Sequence, residues 1–284
     1  MPDPSMLFNP NFKLEVESPD GTKTKEYAIG NDGNLVGFLP KSFVEGLSIS
    51  PNSATPASKV DILSGKCCND TGSNDILISA TKTIDMAVSG LNGLDTGTET
   101  ADTWYAIHLI GDSAGVNPSG GIFSLSATAP TLPSGYDVFR RIGWAHNDAS
   151  SNFLKFTQSG KGSNRTVWYD MKRADVRILN GGTATSFTSV DCSAFVPSTA
   201  TDIKILAHFK TGASGAIGDM MEFRLPGSTV TNPLFSFRAP VVSNTTHRTQ
   251  FQIMLSDTQT TEYAVSDAAN NSATLHIVSY LDEL

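Results

Sequence analysis

Between Asp95 and Gly160 the sequence alternates short apolar runs with turn formers, and this restricts the backbone the chain can adopt. The runs TWYAIHLI, GIFSLS, DVFRRIGWA and NFLKF are separated by GDSAGVNPSG, ATAPTLPSG and HNDASS. Gly, Pro, Asn, Asp and Ser recur too often for a helix to propagate, while short runs rich in β-branched and aromatic residues suit strands. In Thr103–Ile110 both faces are largely apolar: Trp104, Ala106 and Ile110 on one, Tyr105, Ile107 and Leu109 on the other. That pattern predicts a central strand covered on both sides.

The same logic places strands at Val60–Leu63, Ile76–Ser79, Thr83–Val88, Ile122–Leu125, Tyr136–Ala145 and Phe153–Thr157. Beyond residue 162 the period of two is cleaner. In Asp202–Lys210, Ile203, Ile205, Ala207 and Phe209 share one face, with Lys204, His208 and Lys210 opposite. Asp219–Leu225 turns Met221, Phe223 and Leu225 inward, and His247–Ser256 does the same with Phe251, Ile253 and Leu255. Ala273–Tyr280 is expected as a last strand tied into a sheet. Residues 1–58 are interrupted by Pro2, Pro4, Pro10, Pro19, Pro40, Pro51 and Pro56 and read as an attachment arm. Within them, Lys23–Ile29 and Leu35–Leu39 flank GNDGN as a hairpin, and Ser42–Leu47 fits one helical turn. The expected fold is all-β: an N-terminal arm (1–58) and two β-sandwich, jelly-roll-like domains (59–162 and 163–284).

Composition agrees with exposed strand faces and polar loops. Charged residues are 17% of the 284, against roughly 25% in globular proteins. The net charge is −8, and residues 60–115, with eight acids and two bases, supply six of those charges. Phosphate binding needs clustered Lys and Arg, and no basic stripe is visible along the chain, so nucleic acid is not an expected partner. The three cysteines Cys67, Cys68 and Cys192 make no disulfide framework and fit assembly in a reducing cytoplasm. Neither a signal peptide nor an apolar run long enough for a membrane helix is expected.

Candidate chemistry is sparse. Gly111–Gly115, GDSAG, matches the nucleophile-elbow pattern, but that motif needs a helix to begin after the Ser, and here another strand follows. His108, His146, His208, His247 and His276 each lie alone, with no zinc spacing between them. Cys67 and Cys68 read as small buried thiols beside a turn. Of Arg140 and Arg141, on opposite faces of one strand, at least one is expected to pair with an acid or another subunit. Trp104, Tyr105, Trp144, Trp168 and Tyr169 lie in strands and are read as core. No catalytic residue, metal or cofactor is assigned. If a glycan is bound, the polar loops 180–185, 211–218, 226–232 and 256–261 are expected to hold it, with Asn180, Thr183, Thr211, Ser214, Ser228, Asn232, Thr258 and Thr260 as candidates.

TWYAIHLI, then LSATAPTLPSGYDVFRRIGWAHND, then FLKFTQSG, resembles a module common in tailed-bacteriophage virion proteins, chiefly tail fibres and related appendages. The shared order is an extended strand, the SATAPTLPSGY connection, the RRIG strand and a short hairpin; the resemblance is specific over about residues 60–162. It implies a structural, non-enzymatic virion protein: a tail-fibre, tail-tip or baseplate appendage, usually a homotrimer, assembled in the host cytoplasm. Residues 1–58 would join it to other virion proteins, and the C-terminal part would face a host-surface glycan. In such a trimer a histidine on the threefold axis would be placed to hold a metal or an anion. A capsid decoration or head-fibre protein is the alternative, since the chain is short for a fibre. A carbohydrate-binding module or polysaccharide depolymerase is a further one, although spacing selects no pair of catalytic carboxylates.

Overall fold

The computed structural model describes residues 40–212, 219–230, 235–239 and 244–284 and, before them, the backbone of three strands. These are β1 (Lys13–Glu17), β2 (Thr24–Ile29) and β3 (Leu35–Gly37), an antiparallel sheet in that order. The β2–β3 pair matches the hairpin expected around GNDGN; its turn lies outside the described residues. The chain is all-β, with one short 3-10 turn among the described residues.

Six short strands come next: β4 (Val44–Gly46), β5 (Ile49–Pro51), β6 (Lys59–Ile62), β7 (Gly65–Cys68), β8 (Asp75–Ile78) and β9 (Lys82–Asp85). They form two three-stranded sheets, β4-β7-β8 and β5-β6-β9. The helical turn expected at Ser42–Leu47 is strand β4 and a corner instead. Gly46 and Leu47 both have positive φ, at 66° and 57°, which ends any helix and swings the chain from one sheet to the other. A Cβ on Gly46 would lie 2.3 Å from the Ser64 carbonyl oxygen, so only glycine lets β4 and β7 approach there.

Residues 44–51 therefore belong to the body rather than to a free arm. Val44 pairs with Cys67 and Ile49 with Ile62, and Val44, Leu47 and Ile49 are at most 4% exposed. A chain starting at Asn52 forfeits these three buried side chains, on the order of 6 kcal/mol of apolar burial, comparable with the whole stability of a typical domain. We expect it to lose its cooperative thermal transition in calorimetry; an unchanged melting temperature would take these residues out of the core.

Four strands make the next sheet: β10 (Gly93–Leu94), β11 (Thr103–Gly111), β12 (Gly120–Ser124) and β13 (Val138–Asn147), in the order β10-β12-β11-β13. β11 lies between β12 and β13, and Tyr105 to Ile110 are at most 1% exposed, as a strand apolar on both faces requires. GDSAG forms the turn after β11. Asp112 accepts the backbone N–H groups of Ala114, Val116 and Asn117, and the Ser113 hydroxyl is held by Asp137.

The remainder is β14 (Phe156–Lys161), β15 (Asn164–Tyr169), the 3-10 turn Arg173–Val176, β16 (Arg177–Gly182), β17 (Thr188–Asp191), β18 (Ala200–Lys210), β19 (Met220–Arg224), β20 (Phe235–Arg238), β21 (Thr246–Met254), β22 (Thr260–Val265) and β23 (Ser272–Glu283). A six-stranded sheet runs β14-β15-β23-β18-β21, with β16 also on β23; a four-stranded sheet runs β17-β22-β19-β20. Their apolar faces share one core: Ile203, Ile205 and Phe209 belong to it with Met221, Phe223 and Tyr263. Phe223 and Phe251 meet across it at 5.0 Å between ring centroids.

The boundary drawn at 162/163 falls in the turn of the β14–β15 hairpin, whose strands pair from Phe156↔Tyr169 to Lys161↔Asn164. The core runs on without a break from Val44 to Tyr280. Polar contacts also cross that boundary. Arg165 donates to the Gly46 carbonyl at 2.8 Å, and the indole N–H groups of Trp104 and Trp144 donate to the Ser193 carbonyl and the Thr199 hydroxyl.

Candidate functional site

The outward face of the six-stranded sheet carries the most chemistry. On β18 the inward set Ile203, Ile205, Ala207 and Phe209 is buried, so Asp202, Lys204, Leu206 and His208 point out. On β15 the buried side chains are Arg165 and Val167, which turns Thr166 and Trp168 outward. Register aligns these residues across the strands. One row reads Thr157, Trp168, Ser279, Lys204, Gln252, and the next Thr166, Leu281, Asp202, Met254.

Between these rows lies a groove of about 200 Å³ lined by Trp168, Lys204, Asp202, Gln252, Thr166 and Ser279 among others. Trp168 is 39% exposed, its indole N–H donates to the Ser159 hydroxyl at 3.3 Å, and the Lys204 ammonium sits 5.4 Å from its ring centroid. Trp168 is thus not a core residue, contrary to the expectation for the strand aromatics. Tyr105 and Trp144 are buried, and Trp104 and Tyr169 pack against the core. Period two around Val167 was the available signal: with Val167 inward, its neighbour has to face out. The groove offers an aromatic plane, the Thr166 and Ser279 hydroxyls, an amide, a cation and one carboxylate, Asp202, among the described residues that line it.

Further along the same face the sheet gathers bases. His276 on β23 pairs with Arg177 of β16, and His208 on β18 pairs with Arg248 of β21. The two imidazole centroids are 4.9 Å apart. Arg173, from the 3-10 turn, lies 3.3 Å from His208 Nε2 through its guanidinium, and its carbonyl is 2.6 Å from His276 Nδ1. His208 is held below the usual histidine range by burial, then by the charges of His276, Arg173 and Arg248. Burial also lowers His276; Arg173 and Arg177 push the same way, against its hydrogen bond to the Arg173 carbonyl. These residues are far apart in sequence, and only the β16-β23-β18-β21 order joins them, so no spacing announced the cluster.

The loop candidates do not assemble into one site. Thr183 lies at the Gly182–Ala273 end of the large sheet, and Thr211 follows the last residue of β18 at the same end. Thr258 sits in the turn after β21 and Thr260 opens β22, where Leu255 bonds to Thr201, at the opposite end of β18. Eleven residues of β18 separate the two ends, roughly 33 Å of extended strand. Ser228 is in the turn after β19, on the Thr260 side, because Arg224 pairs with Glu262. Asn180 is exposed on β16 and Thr211 is fully buried. Ser214 and Asn232 lie outside the described residues.

The cysteines and the two strand arginines are committed to structure. Cys67, Cys68 and Cys192 are buried free thiols, and burial pushes Cys67 and Cys192 up to about 12. A larger cleft of about 670 Å³ contains Arg140 and Arg141. Arg140 donates to the Lys41 and Leu284 carbonyls, and Arg141 pairs with Asp282 at 2.6 Å, the acid partner expected for one of the two. No protein-family model matches the chain, and neither does any curated protein.

Proposed function

We propose that the chain is a non-enzymatic structural protein of a tailed-bacteriophage particle, a tail-fibre, tail-tip or baseplate appendage, and that the outer face of its large sheet holds a host-surface glycan. The observation that carries the glycan reading is Trp168. An indole left 39% exposed on a sheet face, beside Thr166, Asp202, Lys204 and Gln252, supplies what a sugar ring needs. Its flat apolar surface takes the C–H face of the ring, and the amide, hydroxyl and charged groups take the ring hydroxyls. One carboxylate, Asp202, among the described residues lining the groove fits binding better than glycoside hydrolysis, which uses two.

The phage reading rests on the resemblance over about residues 60–162. In it, residues 163–284 with their two packed sheets form a jelly-roll-like sandwich. Attachment falls to the segment before residue 40, since residues 44–51 are part of the body. Immobilised host polysaccharide tests the glycan reading: the full chain is expected to bind, and Trp168→Ala to weaken binding at least tenfold, about 1.4 kcal/mol. Equal retention of both proteins, or of neither, overturns it. Labelling this protein on imaged particles tests the location; label on the capsid, or absent from particles, overturns a tail position.

A further inference from the structure

We propose that Arg173, Arg177, His208, Arg248 and His276 form a second subsite on the same sheet face, one that takes the anionic group, carboxylate or phosphate, of an acidic polysaccharide whose neighbouring ring lies on Trp168. The proposal rests on the glycan reading above and names its substrate class. Three guanidinium-bearing side chains and two imidazoles converge there through strand register and the 3-10 turn. The chain as a whole carries −8, so this concentration of one sign runs against its composition.

The acids on the surrounding elements do not neutralise it. Asp175 is exposed on the 3-10 turn. Asp202 stands six residues up β18 from His208, in the groove, and Asp282 is turned inward onto Arg141 and Thr199. Of the other charges on β18 and β23, Lys204 and Lys210 have the same sign as the cluster, and Glu283 lies at the far end of β23, seven residues beyond His276. A second observation is independent of the charge count. His276 is 5% exposed, and its Nε2 has no hydrogen-bond partner. A buried polar atom left unsatisfied beside uncompensated cations marks a place where a partner is missing.

Anionic oxygens answer both once His276 is protonated: Nδ1–H is held by the Arg173 carbonyl, so Nε2 of the imidazolium donates to the anion, while Arg forks bind carboxylate and phosphate bidentately. Lys204 and His208 are four residues apart on β18, roughly 13 Å along the strand. A ring stacked on Trp168 and a charged group at the cluster are therefore separated by an oligosaccharide's length and not by one sugar's width. Proton linkage follows from the same geometry. Burial and the neighbouring arginines lower His208 and His276 below the usual histidine range, which favours their neutral forms in the free protein. A bound anion favours the imidazolium form, so binding takes up protons and strengthens as the pH falls.

Calorimetric titration of the full chain tests this with three probes: a glucuronate-containing oligosaccharide, a glycerol-phosphate polymer and neutral dextran oligosaccharide, at pH 5.5 and 7.5 and at low and high salt. One acidic probe or both are expected to bind at least tenfold tighter than dextran, more tightly at pH 5.5, and to weaken with salt. The tighter of the two tells carboxylate from phosphate. Arg173→Gln/Arg248→Gln, at two exposed positions, is expected to lose at least tenfold for the acidic probe and to flatten its pH and salt dependence. Arg173→Lys/Arg248→Lys is expected to retain much of both. Acidic and neutral probes binding alike, with sensitivity to Trp168→Ala intact, would overturn the anion subsite and leave the glycan reading standing. Failure of every probe and of host polysaccharide would remove both.

Discussion

Asp282→Ala is expected to cost about 3–5 kcal/mol of unfolding free energy at neutral pH, the usual loss when one partner of a buried ion pair is removed. The Asp282 side chain is 1% exposed and that of Arg141 11%. One carboxylate oxygen accepts from Arg141 at 2.6 Å and the other from the Thr199 hydroxyl at 2.6 Å. That hydroxyl in turn accepts the Trp144 indole N–H at 2.9 Å. Removing the carboxylate strands a guanidinium that keeps only the Glu283 carbonyl and the face of Trp144. The pair also joins β13 to β23, so the loss should be felt on both sides of the 162/163 hairpin. Arg141→Met/Asp282→Leu removes both charges and is expected to recover most of the stability. Urea denaturation of the three proteins measures this; a loss below about 1 kcal/mol for Asp282→Ala would show the pair to be solvated.

How much of this could be read in advance depended on how strictly residues alternate. β18 and β21 lie within two residues of their expected bounds because β18 buries every second side chain and β21 alternates exposed with more covered ones over a long run, and a slip of one residue would put Lys204 and His208 in the core. β4 and β5 are three residues each, set between Pro40, Gly46 and Pro51, too short for a period to register. Their membership in the body is a tertiary fact, fixed by Cys67 and Ile62 across the sheets. Trp168 was misread because aromatic residues in strands are usually core, although the burial of Val167 already decided its direction. The His208–His276 pair was invisible in principle. It requires β18 to lie beside β23, and nothing in either strand names its neighbour. The polar loops failed as a site for the same reason: composition marked them correctly as loops but could not show that Thr211 and Thr258 cap opposite ends of one sheet.

Acidification from pH 7 to about pH 4.5 is expected to destabilise the fold by about 2–3 kcal/mol through His108 alone. His108 is fully buried on β11, donating from Nε2 to the Ser126 carbonyl at 2.9 Å in its neutral form, with Phe139 against its ring. Burial pushes it down to about 4 from an ordinary 6.5. The unfolded chain therefore takes up this proton first as the pH falls. The contribution is complete above about pH 6.5 and is lost progressively down to about pH 4. His146, His208 and His276 are lowered as well, burial being the first cause in each, and add to the loss in the same direction. The carboxylates held low by hydrogen bonds, Asp85 and Asp137 among them, act in a different window: their stabilisation is present above the unfolded carboxylate range and fades only below about pH 4. Denaturation between pH 7 and 4.5 thus isolates the histidines. His108→Gln, which keeps a donor for Ser126 and has no titrating ring, is expected to be less stable than the native chain at pH 7 and to show a pH slope shallower by about 2–3 kcal/mol across that interval. Parallel slopes in the two proteins would mean that water reaches His108 in the folded chain and that the strand apolar on both faces is not sealed.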